Sequence, residues 1–326
     1  MRTHFENYSG RVLSKENIIR HWTREAIDDD RWNARIRSSA AASVFAETTW
    51  LDGMATNWDA IIMGDYGYVM PIAWRSRFGI RYLYQPSFTP QLGIFGGMPP
   101  SKEVMRAMLA AARDRFRFAE ISLNHSNVIY AAPNADNFLL DLERGHATIS
   151  AYYSENHKRN IRKASEAGLI YERTEHESQG MDPAIAFLRQ QIPQLGKDDF
   201  TRLKKTCLLL WGKDGVIQRI VRSSDGKILA RSLFLVDGKR IINILPFTYE
   251  AGRPLGAGHF LIDRLIEEFS GRPLILDFEG SVIPSIARFY AGFGAQAEQY
   301  PLIRWNDLPA PIRWIKPAGD PVSFLP

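Results

Sequence analysis

Residues 249–269 read YEAGRPLGAGHFLIDRLIEEF, placing Gly252, Gly256, Ala257 and Gly258 together, with Arg253 among them, where a helical pattern begins. Two uses fit that spacing. Glycine takes backbone angles that other residues avoid, so the cluster can simply turn the chain. It can also cradle an anion, because the first amides of a helix lack intrahelical partners and carry the positive end of the helix dipole. Further on, LILDFEGS sets Asp277 and Glu279 two apart in a strand-like run, so their side chains share a face. Carboxylates that close raise one another's pKa, which suits a base that takes a proton from an ammonium group. A strand-end carboxylate can equally cap the next turn or pair with an arginine. Upstream, YYSENHKRNIRKASEAGL clusters Lys158, Arg159, Arg162 and Lys163 into a basic stripe roughly two turns long, with Asn156 and Asn160 one turn apart. Such a stripe is either a solvated face or an anion contact.

Periodicity and turn residues outline the elements that must position these groups. The segment up to about Ser43 has helix-like apolar spacing around Ile18, Ile19 and Trp22. WDAIIMGDYGYVMPIAW reads as two strands joined at Gly64-Asp65, IRYLYQPSF as a third, and PQLGIFGGMPPS as a loop. SKEVMRAMLAAARDRF is a helix with Ser101 as N-cap, and FAEISLN is a strand. A second run starts with the strand NFLLDL, then the basic helix ending at Gly168, then helices in DPAIAFLRQQI and DFTRLKKTCLLLWG. A three-stranded meander follows, with Asp225-Gly226 and Asp237-Gly238 as hairpin turns. After the glycine loop and its helix come the buried strand PLILDFEGS, the short helix IPSIARFYAGFG and the strand AEQYPLIRW, where Pro301 limits pairing or marks an edge. The aromatic run from Trp58 through Tyr66, Tyr68, Trp74, Tyr82, Tyr84 and Phe88 reads as strand and core packing, or as a cleft lined by Tyr84, Gln85 and Phe88.

The second-half order, with Arg253, Gly256 and Gly258 in an R-x-x-G-x-G pattern, resembles the GNAT acyltransferase fold, whose loop amides bind the pyrophosphate of acyl-CoA. YSENHKRNIRKASEAGL resembles the signature helix of FemABX-type transferases, which carry two GNAT-like domains in tandem, and LDFEGSVIPSIARFYAGFGA resembles their closing segment. The resemblance spans about Val44 to Ala295. It implies an α/β (α+β) fold of two tandem GNAT-like domains, each a mixed, mostly antiparallel sheet flanked by helices. Residues 1–135 would form a degenerate domain. Residues 136–326 would carry the acyl-CoA loop at Arg253, Gly256, Ala257 and Gly258. At the comparable place the first half has GIFGGMPPS, without the arginine and with Pro99 and Pro100 removing two amide donors, so no CoA is expected there.

The resemblance also implies roles. The strands before the loop and after its helix splay apart to admit the pantetheine arm, and Pro246 either sits at that splay or ends its strand. Asp277 and Glu279 become candidates for contact with an acceptor amine. Tyr290, in FYAGFGA, falls on the tyrosine that protonates the departing thiolate in many GNAT members; a phenol is un-ionised below about pH 10 and can donate. Asn156, Lys158, Arg159 and Arg162 become contacts for a lipid-linked pyrophosphate, a tRNA backbone or the CoA 3′-phosphate. FemABX relatives transfer an amino acid from aminoacyl-tRNA to a peptidoglycan precursor, whereas other tandem relatives use acyl-CoA. Three expectations follow. The chain is an N-acyltransferase moving an acyl group from acyl-CoA to a small-molecule or peptide amine by direct attack, an aminoacyl-tRNA-dependent transferase acting on a cell-wall precursor, or a catalytically silent pair that binds.

Composition narrows the setting. A net charge of +5 over 326 residues is compatible with a phosphate-bearing cofactor, tRNA or an anionic lipid surface. The single cysteine, Cys207, excludes an intrachain disulfide, reads as a buried inert thiol and suits a reducing cytosol. No run reaches the roughly 18 apolar residues of a membrane span, and the first residues have no apolar h-region, so a cytoplasmic protein without stable membrane insertion is expected. The seven histidines form no spaced set with cysteine or carboxylate, so no metal is expected.

Overall fold

The computed structural model describes residues 18–129, 132–174, 181–191, 195–211, 215–280, 284–310 and Arg313. Their strands are β1 (Ile19–Thr23), β2 (Asn57–Met63), β3 (Tyr68–Arg77), β4 (Ile80–Tyr84), β5 (Phe95–Gly96), β6 (Phe118–Ser122), β7 (Asn134–Asp141), β8 (Ile170–Thr174), β9 (Val216–Arg222), β10 (Ile228–Val236), β11 (Arg240–Thr248), β12 (Ile275–Gly280) and β13 (Gln296–Asn306). The helices are α1 (Asp29–Arg37), α2 (Thr48–Met54), α3 (Lys102–Arg113), α4 (His146–Ala151), α5 (Glu155–Glu166), α6 (Met181–Gln191), α7 (Lys197–Trp211), α8 (Ala257–Phe269) and α9 (Pro284–Ala291). The strands form one mixed sheet, ordered β1-β2-β3-β4-β6-β13-β7-β12-β11-β10-β9-β8, with β5 added beside β3.

Local chemistry explains most boundaries. Ser101 and Ser154 cap α3 and α5, each accepting an amide hydrogen bond at 3.3 Å. Gly168 closes α5 at φ +67°, and the Asp-Gly hairpins turn on Gly226 and Gly238, both at φ +85°. Pairing along the sheet is antiparallel except at β4–β6 and β11–β12. In each half that parallel pair is joined through a loop and one helix, α3 or α8, as a parallel connection requires.

Two expectations are corrected. The apolar residues around Ile19 form strand β1, in register with β2 from Ile19↔Met63 to Thr23↔Asp59, not a helix. Ile19 packs with the cluster beneath α3 and Trp22 with the cluster on the other face, so the sheet uses both sides of the segment. Nor is β13 an edge strand. It pairs with β7 through Pro301 and with β6 from Leu302 onward, so the proline lies where the strand changes partners. There the Pro301 carbonyl accepts from the Leu123 amide at 2.9 Å.

The halves are also joined by a shared core. Phe45, Trp50 and Met54 pack with Leu203, Cys207 and Leu210 of α7 and with Leu233, Ile242 and Leu245 of the meander. Gly53 lets α2 approach so closely that a Cβ there would collide with Thr206. A second core, containing Leu261, Leu265, Phe278, Tyr290 and Phe293, lies on the opposite face of the second-half strands.

Candidate functional site

β11 and β12 pair only from Arg240↔Ile275 to Ile242↔Asp277, after which β11 continues to Thr248 and β12 to Gly280 without meeting. A bulge in β11 separates Asn243 from Leu245 and bends the strand away. Pro246 lies in the parted stretch and keeps its register with Ser232 on β10. Asn243 is buried; its carbonyl accepts from the Ser232 hydroxyl, and its Nδ2 has no partner among the described residues.

Glu279 is the penultimate residue of β12, on the other side of this gap. Its backbone is left-handed at φ +61°, a conformation that costs a non-glycine residue free energy and recurs at functional sites. Its edge reaches solvent, but Oε1 is enclosed and has no partner. Burial, reinforced by the negative charge of Asp277, lifts its carboxyl well above the usual range. Asp277 takes the other role open to a strand-end acid: it accepts from the Glu279 amide at 2.8 Å and from Arg240 Nη1 at 2.8 Å. Arg240 also reaches Glu298 at 3.6 Å, and Glu298 lies 3.3 Å from His125 of the first half. Burial holds His125 below its ordinary pKa against the pull of Glu298. Asp277, Glu279, Arg240 and Asn137 thus line a cleft closed from the other side by Ser43, Gln91, Asn124 and His125.

Two phenols neighbour this acid pair. Tyr290 belongs to the core on the other face of β12, stacked on Phe278 with ring centroids 4.8 Å apart. Tyr300 on β13 is wholly buried, its hydroxyl has no partner, and it lies 3.3 Å from where a Cβ on Gly280 would stand. Burial first, then the charges of Glu279 and Asp277, push both phenols up, so both keep their protons. Sequence reasoning missed Tyr300, Arg240, Glu298 and His125. Alternation along β13 puts Glu298 and Tyr300 on one face, but only the strand order brings that face to Glu279.

Each glycine of the loop has a packing reason. A Cβ on Gly252 would strike the Leu229 carbonyl; on Gly256, already at φ +73°, it would stand 2.5 Å from the Asn160 carbonyl; on Gly258 it would stand 2.7 Å from Thr248 Oγ1. The turn and the cradle are compatible, because Gly256 starts α8 without any side-chain cap and leaves the first amides, Ala257 to His259, at the parted strands. Arg253 is exposed beside them.

The basic helix α5 packs directly on this loop through Asn160 and is pinned to the closing segment through His157. The Phe289 carbonyl can only accept, so His157 Nε2 carries the proton (2.8 Å), and Nδ1 accepts from the Ser154 hydroxyl (2.8 Å). Burial lowers His157 and takes its neighbour His259 down to about 4, so the pair is neutral. Gly292 leaves room for the His157 ring. The stripe itself is exposed and partly neutralised: Lys158 pairs with Glu155 at 3.1 Å and Arg162 approaches Glu166 at 3.8 Å, while Arg159 donates to the uncharged Asn156 side chain at 2.7 Å.

Elsewhere, Tyr84, Gln85 and Phe88 are occupied by packing: the Tyr84 hydroxyl accepts from the Thr56 amide, Gln85 bonds the Thr89 carbonyl and the Ser122 amide, and Phe88 meets Phe200 edge-on. Burial pushes the Cys207 thiol up to about 12, which makes it inert at neutral pH. Among the described residues no group of three or more His, Cys, Asp or Glu could hold a metal, and no helix is long and apolar enough to cross a membrane.

No protein-family model matches the chain, and no curated protein matches it in sequence. Solved structures do match in shape. FemX superposes with a TM-score of 0.63 at 11% identity, over 89% of this chain and 98% of that one. A tandem GNAT protein from the clavulanic acid biosynthesis pathway gives 0.52 at 10%, over 90% and 100%. L-PGS from Bacillus licheniformis gives 0.50 at 9%, over 88% and 95%. At such identities the likeness concerns the fold: a FemABX-like GNAT fold with a large mixed sheet flanked by helices.

Proposed function

We propose that this chain is an N-acyltransferase that moves an acyl group from acyl-CoA to an amine by direct attack in a ternary complex. The observation that carries this reading is Glu279: a strained, enclosed carboxylate with a raised pKa, at the point where two parallel strands part. A carboxylate of raised basicity can take a proton from an ammonium group. The freed amine then forms its bond to the acyl carbon as the carbon–sulfur bond breaks. Tyr290 or Tyr300, both held protonated, would supply a proton to the departing thiolate. The amides of Ala257 and Gly258, with Arg253, would hold the pyrophosphate. The unsatisfied Asn243 Nδ2 and the uncapped start of α8 fit a polar ligand in the gap.

Calorimetry with CoA and acetyl-CoA tests the donor. Gly256 is a poor site for the variant, because any side chain there meets Asn160 and would unseat α5. Arg253 is exposed, and Arg253→Glu should remove micromolar binding, with Tm measured alongside to separate lost binding from lost stability. Absence of binding to wild type at millimolar CoA would refute the acyl-CoA reading. One observation favours the second reading, aminoacyl-tRNA as donor: the exposed basic helix abuts the same loop. Salt-sensitive binding of charged tRNA, weakened by Arg159→Glu and Arg162→Glu together, would support it.

A further inference from the structure

The β3–β4 hairpin ends in Phe78-Gly79, with both residues at positive φ (+51° and +76°). Phe78 is 89% exposed. A lone exposed apolar side chain is ordinary. A bulky aromatic held in left-handed backbone is not, because strain is incurred at the turn and no burial offsets it. One arginine lies beside the ring, and two more stand further back on the hairpin. Arg77 lies 5.3 Å from the Phe78 centroid, Arg75 lies 4.1 Å over Tyr84, and Arg81 lies 4.6 Å over Trp74. None of the three pairs with a carboxylate among the described residues; Arg75 donates to the Thr56 hydroxyl.

We propose that this hairpin tip docks on an anionic lipid surface, with Phe78 entering the interface, Arg77 at the level of the phosphates, and Arg75 and Arg81 behind it adding to the attraction. Charge complementarity makes the partner anionic, and the apolar ring at a projecting tip selects a bilayer. A nucleic-acid platform offers several open ring faces along a groove. Here the faces of Tyr84 and Trp74 are already covered by guanidinium groups, which leaves one ring, at the apex. One inserted ring plus a few basic residues gives reversible, salt-sensitive association. The inference does not depend on the acyltransferase reading.

Sedimentation of the full chain with vesicles of phosphatidylcholine, alone or mixed with phosphatidylglycerol, tests it. Binding is expected to the mixed vesicles only and to fall as salt rises. Phe78→Asn should weaken it roughly tenfold or more, while Tm holds or rises, because asparagine tolerates the left-handed turn. Each of Arg75→Gln, Arg77→Gln and Arg81→Gln should cost about fivefold. Phe78→Trp should blue-shift in emission on adding mixed vesicles, relative to wild type. Failure to sediment with mixed vesicles at low salt, or binding unchanged by Phe78→Asn, would overturn the proposal. So would hairpin-dependent binding of a single-stranded RNA without lipid binding.

Discussion

The two parallel crossovers, β4–α3–β6 and β11–α8–β12, begin alike and finish differently. In the first half, β4 and β6 pair at only two positions, Leu83↔Ala119 and Tyr84↔Glu120, and then part. Polar groups there find partners: Gln85 Oε1 accepts from the Ser122 amide, Leu92 bridges to Leu123 just beyond β6, and Asn127 both accepts from the Ile94 amide at 2.7 Å and donates to the Ile94 carbonyl at 2.9 Å. Ser101 caps the helix that follows. In the second half the corresponding gap keeps Asn243 Nδ2 and Glu279 Oε1 unsatisfied, and glycine begins the helix. Buried polar groups in native proteins almost always have partners. The polar groups named here find partners in the first gap, whereas the second leaves two of its own open, as the proposed ligand site requires.

The largest effect that can break this comparison is chemical. Glu279→Gln keeps the shape and removes the base, so kcat should fall about 10²- to 10⁴-fold. In wild type, kcat/KM should rise with pH through the elevated Glu279 pKa, and the variant should lose that limb. Stability should move the other way. Glu279 binds its proton more tightly folded than unfolded, so its contribution is complete below the unfolded pKa and is lost as pH rises through the folded value. Glu279→Gln should therefore gain Tm relative to wild type at neutral and alkaline pH and converge with it in acid. A variant that loses activity without gaining stability at neutral pH would return Glu279 to a structural role. Tyr290→Phe and Tyr300→Phe sharpen the assignment: the phenol that serves the thiolate should lower kcat about tenfold or more, and the other should leave it nearly unchanged.

A mid-sized effect tests the sealed half. Asn127 is fully buried, and Asn127→Ala strands the amide of Ile94, whose carbonyl keeps Asn124 Nδ2 as a donor at 3.1 Å. A loss of about 2–3 kcal/mol in denaturant unfolding is expected. Asn243→Ala removes a group already lacking one partner, so about 1 kcal/mol or less is expected. Equal costs would mean that the gaps do not differ.

Much of this was legible in the sequence because it is local. Hairpin glycines, serine caps, the parted carboxylates and the loop-to-helix junction all declare themselves within a few residues. The loop glycines were legible as a place but not as a cause: Leu229, Asn160 and Thr248, which crowd them, come from three other elements. The same limit hid Tyr300, Arg240, Glu298 and His125, which converge only because β13 runs between β6 and β7 and faces residues far away in the chain. Pro301 left limited pairing or an edge open, and the structure selects the first. A proline that cannot donate suggests an edge, yet it is tolerated mid-sheet where the strand exchanges one partner for another.

The smallest effect concerns the starts of the two helices. Ser101 Oγ accepts from the Val104 amide at 3.3 Å, so Ser101→Ala should cost about 1 kcal/mol. At the equivalent point of α8, a side chain able to cap is missing, and Gly258→Ser would place a hydroxyl beside the unbonded amides. If those amides merely face water, Gly258→Ser should change stability by only the strain of meeting Thr248 and leave CoA binding intact. If they hold a phosphate, the serine should compete with it, and CoA affinity should drop about tenfold while Ser101→Ala leaves it untouched. Calorimetry on the two variants side by side would separate a helix end that satisfies itself from one kept open for an anion.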